Sequence, residues 1–151
     1  MSIEVINACD KHIPEIFTLL RELADFQHMG SDFKIDIDRL KEMILTEKSL
    51  NALVAVRNEE VVGTALYYTS GVSAFAGKKI LSLDAIYIKE DFRKNSVGRE
   101  IFAKLRTIAK ENNCCRIEWK CQSWNVEAGN FFKIVGSKQD EGWTAFSINH
   151  I

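Results

Sequence analysis

From Asp91 to Arg99 the chain reads Asp91-Phe92-Arg93-Lys94-Asn95-Ser96-Val97-Gly98-Arg99. Three cations, Arg93, Lys94 and Arg99, and one glycine, Gly98, lie where a turn opens a helix-like stretch, Arg99 to Lys110. The first N–H groups of a helix have no intrahelical acceptor, and the helix dipole adds partial positive charge to them. Gly98 has no Cβ to hold a ligand away from the backbone. This is a place for an anion, and a diphosphate is its natural occupant. It is neither of two common phosphate loops: no Gly-Lys-Ser/Thr follows, and the three-glycine dinucleotide pattern is missing.

Other residues could act beside that turn. Asp84 is a carboxylate in an apolar strand, Leu81 to Ile88, and suits either a substrate contact or a structural role accepting N–H bonds. Tyr87, in the same strand, carries a phenol. Asn125 precedes a helical stretch and suits an N-cap, which leaves room for a ligand contact as well. Phe131-Phe132, Trp124 and Trp143 read as packing aromatics, and Cys114-Cys115 as a buried pair of thiols.

The elements that must position these groups follow from periodicity. Strands are expected over Ile3 to Ala8, Ala52 to Val56, Val61 to Ser70, Leu81 to Ile88, Arg116 to Cys121 and Trp143 to Ile148. Asp10 can cap a helix with Ile13, Ile16, Phe17, Leu20, Leu23 and Ala24 on one face, ending at Phe26-Gln27. Further helices are expected over Asp36 to Leu45, Arg99 to Lys110 and Val126 to Ile134, the last closed by Gly136. Arg57 to Glu60 reads as a hairpin turn and Gly71 to Lys79 as a loop. The order β-α-α-β-β-β-α-β-α-β gives an α/β (α+β) domain around one central sheet.

Composition narrows the partners. At 151 residues the chain suits a single domain over 1–151, and 46% hydrophobic with 27% charged residues is an ordinary globular balance. A net charge of −1 gives no reason to expect nucleic acid or an anionic membrane as partner. No apolar run approaches the roughly 20 residues needed to span a bilayer, and no secretory leader is expected. Cys9, Cys114, Cys115 and Cys121 and the scattered His12, His28 and His150 have no zinc-type spacing, so no metal is expected. Unpaired thiols in a reduced cytoplasmic setting are the favoured reading.

The element order, with the basic turn after the fourth strand, resembles the GCN5-related N-acetyltransferase (GNAT) superfamily. Its Arg/Gln-x-x-Gly-x-Gly/Ala signature is similar to Arg93-Lys94-Asn95-Ser96-Val97-Gly98, with Ser96 in place of the middle glycine. The likeness is closer to the diamine branch, the spermidine/spermine and thialysine N-acetyltransferases. It rests on Arg21-Glu22-Leu23-Ala24 with Met29, Val62-Gly63 with Tyr67-Tyr68, Asp91-Phe92-Arg93, Trp124-Asn125 with Asn130-Phe131, and Glu141-Gly142-Trp143. The resemblance implies a central mixed, mostly antiparallel sheet flanked by helices, and acetyl-CoA as co-substrate. It implies that the backbone at Ile86, Tyr87 and Ile88 pairs with the pantetheine arm. Arg93, Lys94, Asn95, Ser96, Val97, Gly98 and Arg99 would hold the pyrophosphate, and Asn125 would bond the pantetheine. It also implies a homodimer, with the apolar segment Trp143 to Ile151 at the interface.

Three departures bear on the acceptor. The branch's tyrosine general acid is matched by Phe132, which has no proton to give, leaving Asp84 and Tyr87 as candidates. The glutamate that reads the substrate's cationic nitrogen is matched by Asp84, with Ala85 in place of the next acid. The Tyr-Glu pair after the first helix is matched by Phe26-Gln27. Two readings follow: an enzyme that acetylates the primary amine of a small molecule (a diamine, polyamine or lysine-like amino acid), and a non-catalytic or weakly active CoA-binding module.

Overall fold

The computed structural model describes residues 2–151. They form two compact units, one reaching to Lys120 and the other Cys121–Ile151.

The first unit is built on a five-stranded sheet in the order β1-β2-β3-β4-β5. Its strands are β1 (Glu4–Asn7), β2 (Asn51–Arg57), β3 (Glu60–Ser73), β4 (Lys78–Ile88) and β5 (Cys114–Glu118). β1 to β4 are antiparallel neighbours, and β5 joins β4 in parallel, so the sheet is mixed and mostly antiparallel as expected. The β2–β3 hairpin turns on Asn58 and Glu59, both at positive φ, which matches its twist to that of the strands.

Three helices cover the sheet: α1 (Ile13–Phe26), α2 (Ile37–Lys41, continued by one wider turn over Glu42–Thr46) and α3 (Val97–Glu111). Asp36 caps α2 by accepting the Arg39 N–H at 2.8 Å. On one face Ile13, Ile16 and Leu19 of α1 pack with Leu40 and Ile44 against Ala52, Val54 and Leu66 of the sheet. Those strand positions alternate in sequence, as one face of a pleated strand requires. α3 carries Val97, Ile101, Phe102, Leu105 and Ala109 as its buried stripe, each large side chain worth about 1.5–3 kcal/mol of burial. Among the described residues no helix is long and apolar enough to cross a membrane.

Several expectations are corrected. Asp10 does not cap α1; it opens a short 3-10 turn, Asp10–His12, whose own cap is Cys9. β3 and β4 extend through most of Gly71 to Lys79, leaving a turn in which the Gly77 N–H bonds the Ser73 carbonyl at 2.9 Å. Val72 and Phe75 there are exposed, so no apolar alternation announced the ladder. β5 begins two residues before the expected strand and ends at Glu118. Cys114 is half-buried and Cys115 exposed, because β5 is an edge strand.

In the second unit α4 (Val126–Ile134) forms as expected, and Gly136 follows it at a φ of 97°. The expected strand over Trp143 to Ile148 is absent. A strand persists through its ladder, and the described sheet ends with β5. Trp143, Phe146 and Ile148 are 84%, 93% and 82% exposed, so Trp143 is not the packing aromatic expected, and Trp124 is half-exposed.

His12 is buried, and its Nδ1 accepts the Cys9 N–H at 3.0 Å. Burial, and then the Lys11 charge, push its pKa below the ordinary histidine value. A base with a depressed folded pKa binds fewer protons folded than unfolded. Its contribution is therefore full above the unfolded pKa and lost as pH falls below it. Urea midpoints should drop between about pH 7.5 and about pH 5, and the drop should shrink in His12→Asn. Equal pH dependence in both proteins would show that His12 is not responsible.

Candidate active site

β4 carries two irregularities that open the site. Its ladder with β5 runs only from Lys79↔Cys114 to Ser82↔Glu118. From Leu83 to Ile88, β4 pairs only with β3 among the described strands. A bulge at Asp84 sits where this open stretch begins: Leu66 pairs with Ala85 and Tyr67 with Leu83, so Asp84 is the extra residue. Asp84 is exposed there, not buried in the strand.

Peptide groups along a strand face alternate edges. The Lys89 N–H bonds the Val62 carbonyl on β3 at 2.9 Å. Ile88, and with it Ile86, must therefore aim its own N–H and C=O away from β3, at the unpaired side. A row of peptide groups with no strand beside it will pair with any extended chain of amides.

The basic turn adjoins the end of this edge. A 3-10 turn, Glu90–Phe92, leads from β4, and Ser96 precedes α3. Lys94 and Ser96 both have φ of 66°, flanking Asn95, which has no positive φ. Where backbone hands alternate in a turn, successive N–H groups can converge on one side of it. Ser96 makes no side-chain cap, so the first N–H groups of α3 are left to other acceptors. Lys94, Asn95, Ser96 and Arg99 are exposed, while Val97 and Gly98 are buried. Gly98 has no positive φ, so its backbone conformation does not itself require a glycine.

Gly63 was not read as a site residue, yet it sets this arrangement. A Cβ there would lie 3.3 Å from the Tyr87 carbonyl oxygen, 3.3 Å from Ile88 Cγ1 and 3.4 Å from Val97 Cγ1. Its absence lets β3, the end of β4 and the start of α3 close together. The available signal was a glycine inside a strand pattern. Phe92 is held in turn by the Arg57 guanidinium, 5.5 Å from its ring centroid.

Arg93 is placed differently from Lys94 and Arg99. Its Nε donates to the Ile88 carbonyl at 2.9 Å. Its guanidinium lies 5.4 Å from the Phe26 ring centroid and 5.2 Å from that of Tyr87. The structure thus joins Phe26, at the end of α1, with Tyr87, Ile88 and Arg93. Gln27 follows as the α1 C-cap, its N–H bonding the Leu23 carbonyl at 2.9 Å. Burial raises the Tyr87 phenol above its ordinary pKa; Arg93 opposes this, and Glu22 and Glu90 add to it. Tyr87 is therefore a protonated donor at neutral pH.

The remaining expected residues belong to the second unit. Asn125 caps α4, its Oδ1 accepting the Ala128 N–H at 3.1 Å. That cap uses the amide's acceptor and not its donor. Phe132 is half-buried, its ring 5.7 Å from that of Phe131. Among the described residues no cluster of three His, Cys, Asp or Glu could hold a metal. A cavity of about 450 Å³ lies at the β3–β4 tip, lined by Ser73, Lys79 and Asn113 among others, and contains none of the expected site residues.

Residues 13–136 match the acetyltransferase (GNAT) family profile. A thialysine N-epsilon-acetyltransferase of Caenorhabditis elegans is 26% identical over 149 residues, covering 97% of this chain and 91% of that protein. One of Bos taurus is 29% identical over 143 residues, covering 87% and 83%. The solved structure of AAC(6')-Iy in complex with the bisubstrate analog CoA-S-monomethyl-acetylneamine has a TM-score of 0.82 at 15% identity, with both chains covered over 100%. That last likeness bears on the fold.

A left-handed conformation costs a non-glycine residue roughly 1–2 kcal/mol. Ser96→Gly should therefore raise the unfolding free energy, read from the denaturant midpoint, by about 1 kcal/mol after the added freedom of the unfolded chain is subtracted. Asn95→Gly, at a residue without positive φ, should lower it. Equal effects at both positions would remove the strain assigned to Ser96.

Proposed function

The chain belongs to the acetyltransferase (GNAT) family and is an N-acetyltransferase by that membership; from this premise we propose that it transfers the acetyl group of acetyl-CoA to a primary amine of a small molecule, a diamine, polyamine or lysine-like amino acid. The observation that carries the reading is the open edge of β4 ending beside an anion turn. The peptide groups of Ile86 and Ile88 suit the amides of a pantetheine arm. The turn from Lys94 to Arg99 suits a pyrophosphate, with two exposed cations and the N-terminus of α3. Phe26, Gln27 and Asp84 are the proposed acceptor contacts, and Asn125 a further contact to the arm. The four free thiols suit a reducing compartment.

Transfer requires the neutral amine to attack the thioester carbonyl, its nitrogen to lose a proton to solvent or a base, the C–S bond to break, and the thiolate to gain a proton or leave as the anion. Orientation alone can supply about 7–11 kcal/mol of the barrier. A general acid typically adds about 10²–10⁴-fold. With Phe132 at the position of the family's acid, transfer proceeds without that factor unless Tyr87 supplies the proton.

Release of free thiol from acetyl-CoA across a panel of diamines, polyamines and basic amino acids tests the reading. One class of amine should give turnover, and Phe132→Tyr should raise the turnover number by about tenfold or more with little change in acetyl-CoA affinity. Binding of acetyl-CoA with no turnover by either protein would favour the non-catalytic module.

The exposed segment holding Trp143, Phe146 and Ile148 supports a homodimer that buries it. Light scattering at micromolar concentration should give twice the chain mass of 17.2 kDa. A monomeric mass would overturn that assignment.

A further inference from the structure

We propose that Arg93 is a positioning residue that fastens the acceptor side of the site to the end of the open strand edge, and is not a phosphate ligand. This rests on the acetyl-transfer reading but concerns a single side chain. Arg93 stands first in the basic turn, where its charge suggests a partner to a diphosphate. Its geometry is already committed elsewhere. One guanidinium touches three separate pieces of chain: the Ile88 carbonyl through Nε, the Phe26 ring that ends α1, and the Tyr87 ring on β4.

The Ile88 carbonyl belongs to the unpaired edge. By bonding it, Arg93 takes one of the two lone pairs of the last acceptor on that edge and so fixes the position of the strand end. The planar group needs all its features for this task. It donates through Nε and lies over two aromatic rings at once, which a point-charge ammonium does not reproduce. Arg93 is half-buried, whereas Lys94 and Arg99 are exposed. The three cations therefore divide: two can follow a ligand's phosphates, and one holds the wall formed by Phe26 and Tyr87.

Phe26 stands where the family resemblance expects an acceptor contact. Releasing it should be felt by the amine more than by the cofactor. The Arg93 side chain also reports on itself, since it holds the Tyr87 phenol down against the effect of burial.

The test compares Arg93→Lys and Arg93→Met with Lys94→Met and Arg99→Met. Calorimetry with coenzyme A reads the cofactor site, thiol release reads the amine KM, and alkaline absorbance titration reads the phenols, with Tyr87→Phe identifying the Tyr87 transition. Arg93→Met should raise the amine KM about tenfold while coenzyme A affinity changes by less than about threefold, and Arg93→Lys should not restore the KM. The Tyr87 transition should move to higher pH in Arg93→Met, which removes the charge. Lys94→Met or Arg99→Met should weaken coenzyme A without moving that transition. If Arg93→Met instead weakens coenzyme A at least tenfold, and Arg93→Lys restores it with the amine KM unchanged, Arg93 is a phosphate ligand and the proposal fails. If the parent acetylates no amine, the catalytic reading fails by itself. The clamp is then decided by the calorimetry and the phenol titration, and an unmoved Tyr87 transition overturns it.

Discussion

The site depends on one failure of pairing. β4 and β5 are parallel neighbours as far as Ser82 and Glu118, and beyond that the ladder stops. The candidate residues of β4 and of the turn that follows it lie along that parting. The Asp84 bulge begins it, Ile86 and Ile88 line it, and the basic turn lies at its far end. Unpaired peptide groups inside a protein carry a free-energy penalty unless something replaces the missing partner. An exposed edge of this kind is tolerable where solvent or a ligand reaches it, and it gives extended amides a ready template.

The surrounding packing keeps that parting in place. β3 supports the opposite side of β4 along its whole open length, and Gly63 lets α3 approach close enough to seat Val97 under the strand end. The turn between them is fixed at several points: Arg57 against Phe92, the Lys89 N–H on Val62, and Arg93 on Ile88. Lys94 and Ser96 then adopt backbone conformations that side-chain-bearing residues ordinarily avoid. Strain at such a turn persists only when its flanks over-determine it, and here both flanks are anchored.

Much of this was legible in the sequence because it is written in local patterns. The apolar faces of α1 and α3 repeat with the helical period, and the helix start after the basic turn follows from charge and glycine placement. The five local strings that resemble the diamine branch carried the fold and the family. What was hidden is set by tertiary partners. The bulge at Asp84 depends on the register of β3 against β4, which no local alternation reveals. The commitment of Arg93 depends on Phe26, sixty-seven positions earlier in the chain. The tail from Trp143 has the composition of a strand, but pairing and not composition makes one.

A binding edge made of main chain has an unusual relation to mutation. Every residue except proline carries the same N–H and C=O, so exchanging the side chains at Ile86 or Ile88 does not remove the groups that would do the pairing. Such a feature can survive long sequence drift provided the bulge, the register and the supporting packing persist. A solved structure can accordingly share this fold, with a TM-score of 0.82, at 15% identity. The corollary is that the heritable information for the edge lies beside it, in a glycine on the neighbouring strand and an arginine beyond its end, and not in the residues that form it.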